Sequence, residues 1–182
     1  AASILGLARD LEVPHVAYLA PQAAGHTWYP YSFMAPMEQN EPGLSSALNR
    51  LGTLLDRVEA AGHPRSQIAL LGFSQGACLA TAFAARHPQR YGGVFGLSGG
   101  LIGPAGTAFD YDGSMDGTPV FLGCSDRDPH IPLARVRETT AAFERLGADV
   151  TERIYDGMGH TVNRDEIAFV RDRLTALVEH SG

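Results

Sequence analysis

The chain has 182 residues, with 14 basic side chains against 20 acidic ones and a formal net charge of −6. Every basic side chain is Arg, which excludes a Schiff-base lysine, a Ser–Lys dyad and the lysine of a phosphate-binding loop. A mildly acidic surface gives no electrostatic ground for binding nucleic acid or an anionic membrane, and 45% hydrophobic with 19% charged residues fits one folded domain over 1–182.

At the front, Ile4, Leu5, Ala8 and Leu11 have helical spacing, and Val16 to Leu19 reads as a strand. A long loop follows from Pro21 to Pro42. Leu44, Leu48, Leu51, Leu55 and Val58 mark one face of a helix that Gly62 and Pro64 end. Ile68 to Phe73 is a continuous apolar run, the form of a buried parallel strand. A helix rich in small residues spans Gln75 to His87 and stops at Pro88. Val94 to Leu97 and Pro119 to Leu122 read as strands, with a second long loop, Gly99 to Gly117, between them. Pro132 opens a helix that runs to Gly147, with Leu133, Val136, Phe143 and Leu146 inward. Val150 to Tyr155 alternates as a half-exposed strand does. Asn163 with Glu166 three residues on predicts a capping box for a last helix that buries Ile167, Val170, Leu174 and Leu177.

Alternating strands and helices predict an α/β fold with a mainly parallel sheet flanked by helices. No apolar run approaches the roughly 18 residues of a membrane span, and no secretory leader is visible, so a cytoplasmic protein without stable membrane insertion is expected. The chain opens Ala1-Ala2-Ser3 without Met, and its start is read as processed or cut. Cys78 and Cys124 make neither a disulfide framework nor a zinc spacing and read as free, buried thiols.

Gly72-Phe73-Ser74-Gln75-Gly76 matches G-x-S-x-G, and so does Gly96-Leu97-Ser98-Gly99-Gly100. Context separates them. A nucleophile elbow needs a strand before it and a helix after it, so that the sharp turn lifts the hydroxyl above the sheet. Ser74 has both. Behind Ser98, Gly99, Gly100, Gly103 and Pro104 oppose a helix, which leaves Ser98 as a turn residue at the sheet edge. A serine hydroxyl needs a base, and the base needs an acid to orient it. After Ser74, one predicted strand leads into Ser125-Asp126-Arg127-Asp128-Pro129-His130, and the next leads into Asp156-Gly157-Met158-Gly159-His160. Both loops leave the carboxyl ends of strands, where ligands bind in open α/β sheets. His160 is the candidate base, and either Asp126 or Asp128 serves as the acid. The Asp-x-Asp-x-His run also has the look of a metal site, but no further carboxylate cluster supports one, so no metal is expected.

Together, Gly72-Phe73-Ser74-Gln75-Gly76, Asp128-Pro129-His130-Ile131-Pro132 and Gly157-Met158-Gly159-His160 resemble the phospholipase/carboxylesterase family. These are small α/β-hydrolases with no large cap, and they include the acyl-protein thioesterases. The likeness runs from about Ser3 to Val178. It implies that Asp128, directly before Pro129, is the acid, and that a small-molecule ester or thioester is cleaved through an acyl-enzyme on Ser74, without metal or cofactor. The resemblance also implies a strand ending in a His-Gly-x-Gly-like turn that supplies part of the oxyanion hole. No His-Gly pair occurs here. The Gln75 backbone N–H supplies one oxyanion donor, and the second is expected to be missing from the chain together with an N-terminal strand.

Trp28, Tyr29, Tyr31 and Phe33, followed by Met34 and Met37, suit the wall of a substrate pocket, and packing of the loop onto the domain is the alternative. His26 reads as a surface or structural histidine, and His130 neighbours the candidate acid. Two other readings stand beside an ester hydrolase: a non-catalytic binding protein on a hydrolase fold, and a different hydrolase such as a peptidase or a dienelactone-type enzyme. A homodimer is left open.

Overall fold

A computed structural model describes residues 2–180. Its elements, in chain order, are α1 (Ala2–Leu11), α2 (Gly43–Ala60), β1 (Ala69–Phe73), α3 (Gln75–Arg86), β2 (Gly93–Leu97), β3 (Pro119–Ser125), α4 (Leu133–Arg145), β4 (Asp149–Tyr155) and α5 (Arg164–Glu179). Single turns of 3-10 helix lie at Ala24–His26, Met37–Asn40 and Arg65–Gln67. The strands form one sheet in the order β1-β2-β3-β4, with every pair parallel.

Side chains alternate across a strand, and here the alternation divides two cores. Leu70, Val94, Val120, Leu122 and Cys124 point into the larger core with α2, α3 and α4. Phe95, Leu97 and Phe121 point the other way, against Leu11 and Val13 and against Val170 and Leu174 of α5. The sheet is therefore covered on both faces, as a parallel sheet requires. Every residue of α3 from Ala77 to Ala85 is buried, because small side chains let that helix lie close to β1 and β2. The predicted capping box is present: Asn163 Oδ1 accepts from Glu166 N (2.9 Å), and Glu166 Oε2 accepts from Asn163 N (2.8 Å).

One predicted strand is absent. Val16 to Leu19 pairs with no strand among the described residues. Alternation specifies which side chains turn inward, and Val16 and Tyr18 do pack against the core while Leu19 is exposed. A strand also needs a hydrogen-bonded neighbour, which no local pattern can supply.

The long loop between β2 and β3 takes the place of a crossover helix. It buries Leu101, Ile102, Phe109 and Met115. It is held by Arg135 of α4, a buried side chain whose guanidinium donates to the carbonyls of Leu101 (2.8 Å), Gly103 (2.7 Å) and Pro104 (3.1 Å).

Candidate active site

Because the strands run parallel, the loops after β1, β3 and β4 emerge at one edge of the sheet. Those loops carry Ser74, Asp128 and His160. Ser74 sits between β1 and α3 with φ 54° and ψ −123°, a left-handed conformation that a non-glycine residue adopts only when its surroundings impose it. Here Ser74 N donates to Leu97 O (3.0 Å) and Ser74 O accepts from Cys78 N (3.0 Å), which pins the turn from both sides. A glycine at position 72 is required, because a Cβ there would overlap the backbone of Gly76 and Ala77.

The Ser74 hydroxyl lies 2.9 Å from His160 Nε2, and His160 Nδ1 lies 2.7 Å from Asp128 Oδ2. With the Nδ1 proton donated to the carboxylate, Nε2 is left as the acceptor for the serine proton. The Asp128 side chain is fully buried, and its second oxygen accepts from the amides of His130 (2.8 Å) and Ile131 (3.0 Å). Burial pushes this carboxyl up, but the bonds from His160 and from the two amides outweigh it and hold the group below the ordinary carboxylate range. Asp128 is therefore ionised at neutral pH. The His160 ring rests between Phe73 (centroids 4.9 Å apart) and the edge of His130 (4.8 Å). The arrangement can take a proton from Ser74 and hold the resulting imidazolium against a fixed negative charge.

The two carboxylates left open by their order in the chain do different things. Asp126 Oδ1 accepts from Gly157 N (2.8 Å), and Asp126 N donates to Tyr155 O (3.1 Å). Ser125 Oγ accepts from Gly159 N (3.0 Å). Asp126 and Ser125 thus tie the Asp128 loop to the His160 loop without a hydrogen bond to His160 itself. Sequence reading missed this role, since nothing in the spacing shows which loop a carboxylate will bridge.

Ser98 is the bend residue directly after the interior strand β2; it is fully buried, has φ 49° and has its Oγ 3.5 Å from Thr161 O. Burial pushes the Cys78 thiol up to about 11 and the Cys124 thiol up to about 12, so neither is a thiolate at neutral pH.

The aromatic loop is divided. Tyr29 and Phe33 join the core, Trp28 packs half-buried against it, and Tyr31 is 59% exposed. The loop is also fastened to the Ser74 turn, by a contact that no local pattern signals: Gln75 Oε1 accepts from Trp28 N (2.7 Å) and Gln75 Nε2 donates to Tyr29 O (2.9 Å). Gln75 is the first residue of α3, and a first-turn amide has no acceptor within its own helix. His26 lies in the 3-10 turn ahead of this loop, its Nδ1 3.4 Å from Gln22 Nε2. A cavity of about 440 Å³ lies elsewhere, lined by residues of α2, the end of α3 and Arg65, and none of Ser74, Asp128 or His160 borders it.

Comparison with known proteins gives a consistent picture. The family model described as phospholipase/carboxylesterase matches residues 13–178. Acyl-protein thioesterase 1 of Saccharomyces cerevisiae is 28% identical over 141 residues, which cover 74% of this chain and 62% of the yeast protein. A probable inactive carboxylesterase of Oryza sativa is 25% identical over 144 residues, covering 79% of this chain and 59% of its own. The chain thus spans about three fifths of the length of these curated relatives. Among solved structures, a phospholipase/carboxylesterase from Dyadobacter fermentans superposes with a TM-score of 0.91 at 42% identity, covering 96% of this chain and 83% of that one.

Proposed function

This chain belongs to the phospholipase/carboxylesterase family, and from that premise we propose that it is a serine hydrolase of carboxylic esters or thioesters. The observation that carries the reading is the unbroken run of hydrogen bonds from the Ser74 hydroxyl through His160 to buried Asp128. Ser74 Oγ attacks the substrate carbonyl carbon while His160 Nε2 takes its proton. The tetrahedral oxyanion is met by the Gln75 backbone N–H. His160 passes the proton to the departing alcohol or thiol, leaving an acyl-serine, and a water molecule activated by the same nitrogen releases the acid. Asp128 holds the ring in the required tautomer and stabilises its cation. The chemistry uses no metal or cofactor, and a single domain carries it.

The Oryza sativa relative makes a non-catalytic descendant of the fold the competing reading. The filled serine, histidine and aspartate positions favour turnover. The test is a panel of p-nitrophenyl esters and an acyl thioester. Wild-type protein is expected to cleave them, Ser74→Ala and Asp128→Asn to lose about 10⁴-fold or more, and Asp126→Asn to lose far less. Wild-type rates in Ser74→Ala, or an Asp126→Asn loss as large as that of Asp128→Asn, would contradict the assignment.

A further inference from the structure

Gln75 occupies two places at once. Its backbone follows Ser74 directly, and its side chain reaches a segment 46 to 48 residues away in sequence. Every donor of the carboxamide is used. Oε1 accepts from Trp28 N (2.7 Å), and Nε2 donates to Tyr29 O (2.9 Å) and to Thr27 Oγ1 (3.1 Å). The Thr27 hydroxyl in turn donates to Tyr29 O (2.9 Å). The pattern fixes the amide's orientation: turned over, it would set NH₂ against the Trp28 N–H and oxygen against the Tyr29 carbonyl. Glutamate would likewise oppose that carbonyl.

The same segment is held from other sides. The α2 start packs so closely that a Cβ on Gly43 would come within 3.2 Å of Trp28 O and 3.3 Å of Tyr29 Cα. Asn40, fully buried, accepts from Tyr31 N (2.9 Å) and donates to Ser32 O (2.9 Å). The backbone from Thr27 to Ser32 is therefore a fixed ledge one glutamine side chain away from the residue after the nucleophile. Of its aromatics, Tyr31 is exposed and Trp28 is half-buried against the core.

We propose that the Gln75 side chain is a specificity-positioning residue: it holds the Thr27–Tyr29 ledge beside Ser74 and so sets which acyl groups the site accepts. The inference rests on the serine-hydrolase reading above. A bulky acyl group that pressed on the ledge would pull, through this clamp, on the residue whose amide meets the oxyanion. Acyl fit and oxyanion placement are thereby coupled through one residue. Discrimination by apolar pockets is typically worth about 10- to 200-fold between related substrates, which sets the scale of what the clamp can control.

The test compares p-nitrophenyl acetate with p-nitrophenyl octanoate in wild type, Gln75→Leu, Trp28→Ala and the double variant. Gln75→Leu removes every bond of the clamp with little change in side-chain size. It is expected to raise KM for octanoate about tenfold more than KM for acetate. Trp28→Ala trims the ledge and leaves the clamp, so it is expected to shift the same ratio and carries the prediction should Gln75→Leu not fold. The double variant is expected to be no less selective than the worse single one. Equal losses on both substrates, or additive effects in the double variant, would overturn the clamp while leaving the hydrolase reading intact. A wild-type protein that cleaves neither ester would overturn both.

Discussion

Glu166 is fully buried, and only one of its two carboxyl oxygens has a partner. Its Oε2 closes the capping box, and its Oε1 lies over Gly123, where the absent side chain leaves room for it. Burial pushes this carboxyl up to about 7 from an ordinary 4.5. The folded protein then keeps a proton that the unfolded chain has released, so stability falls as pH rises between about 4.5 and about 7, and levels off above. Glu166→Gln keeps the capping acceptor and removes the titration. Its melting temperature relative to wild type is expected to rise across that pH window and to stay constant above it; a difference independent of pH would contradict this. The sequence showed Glu166 as a capping partner but not as a buried acid. The same holds for Arg135, whose acceptors lie 31 to 34 residues away in the chain. Buried polar residues become legible only when their distant partners are known, whereas apolar ones announce themselves by period.

The turn from β1 into α3 shows the same contrast at the level of elements. An apolar run, a serine between glycines and a small-residue helix were readable because each rests on local sterics. The reason for each glycine was not. Gly72→Ala would drive a methyl group into the backbone of Gly76 and Ala77, which cannot move without moving α3. It is expected to destabilise by about 3 kcal/mol or more. A Cβ on Gly76 meets nothing within 4 Å, so Gly76→Ala is expected to range from neutral to about 1 kcal/mol stabilising. Chemical denaturation of the two variants checks this, and equal costs would contradict it. Val16 to Leu19 failed as a strand for the complementary reason: its alternation is local, but its hydrogen bonds depend on a neighbour. The length of the loop between β2 and β3 is legible in the sequence, while its fastening by Arg135 is not, because the acceptors are distant in the chain.

For the molecule as a whole, the site exists because three loops from parallel strands share one edge of the sheet. Ser74 and His160 are 86 residues apart in the chain and 2.9 Å apart in space. Their order along the chain was legible, and the α/β alternation supplied the reason they would converge. What the order left open, the choice between Asp126 and Asp128, depends on which way each carboxylate turns within a single loop. Among the described residues no helix is long and apolar enough to cross a membrane. The proposed mechanism makes Ser74 the activated nucleophile, and peptide mapping by mass spectrometry after treatment with a fluorophosphonate probe tests it. One probe per chain is predicted, on the peptide that carries Ser74, with none in Ser74→Ala. Label on Ser98 or another residue, or undiminished label in Ser74→Ala, would contradict it.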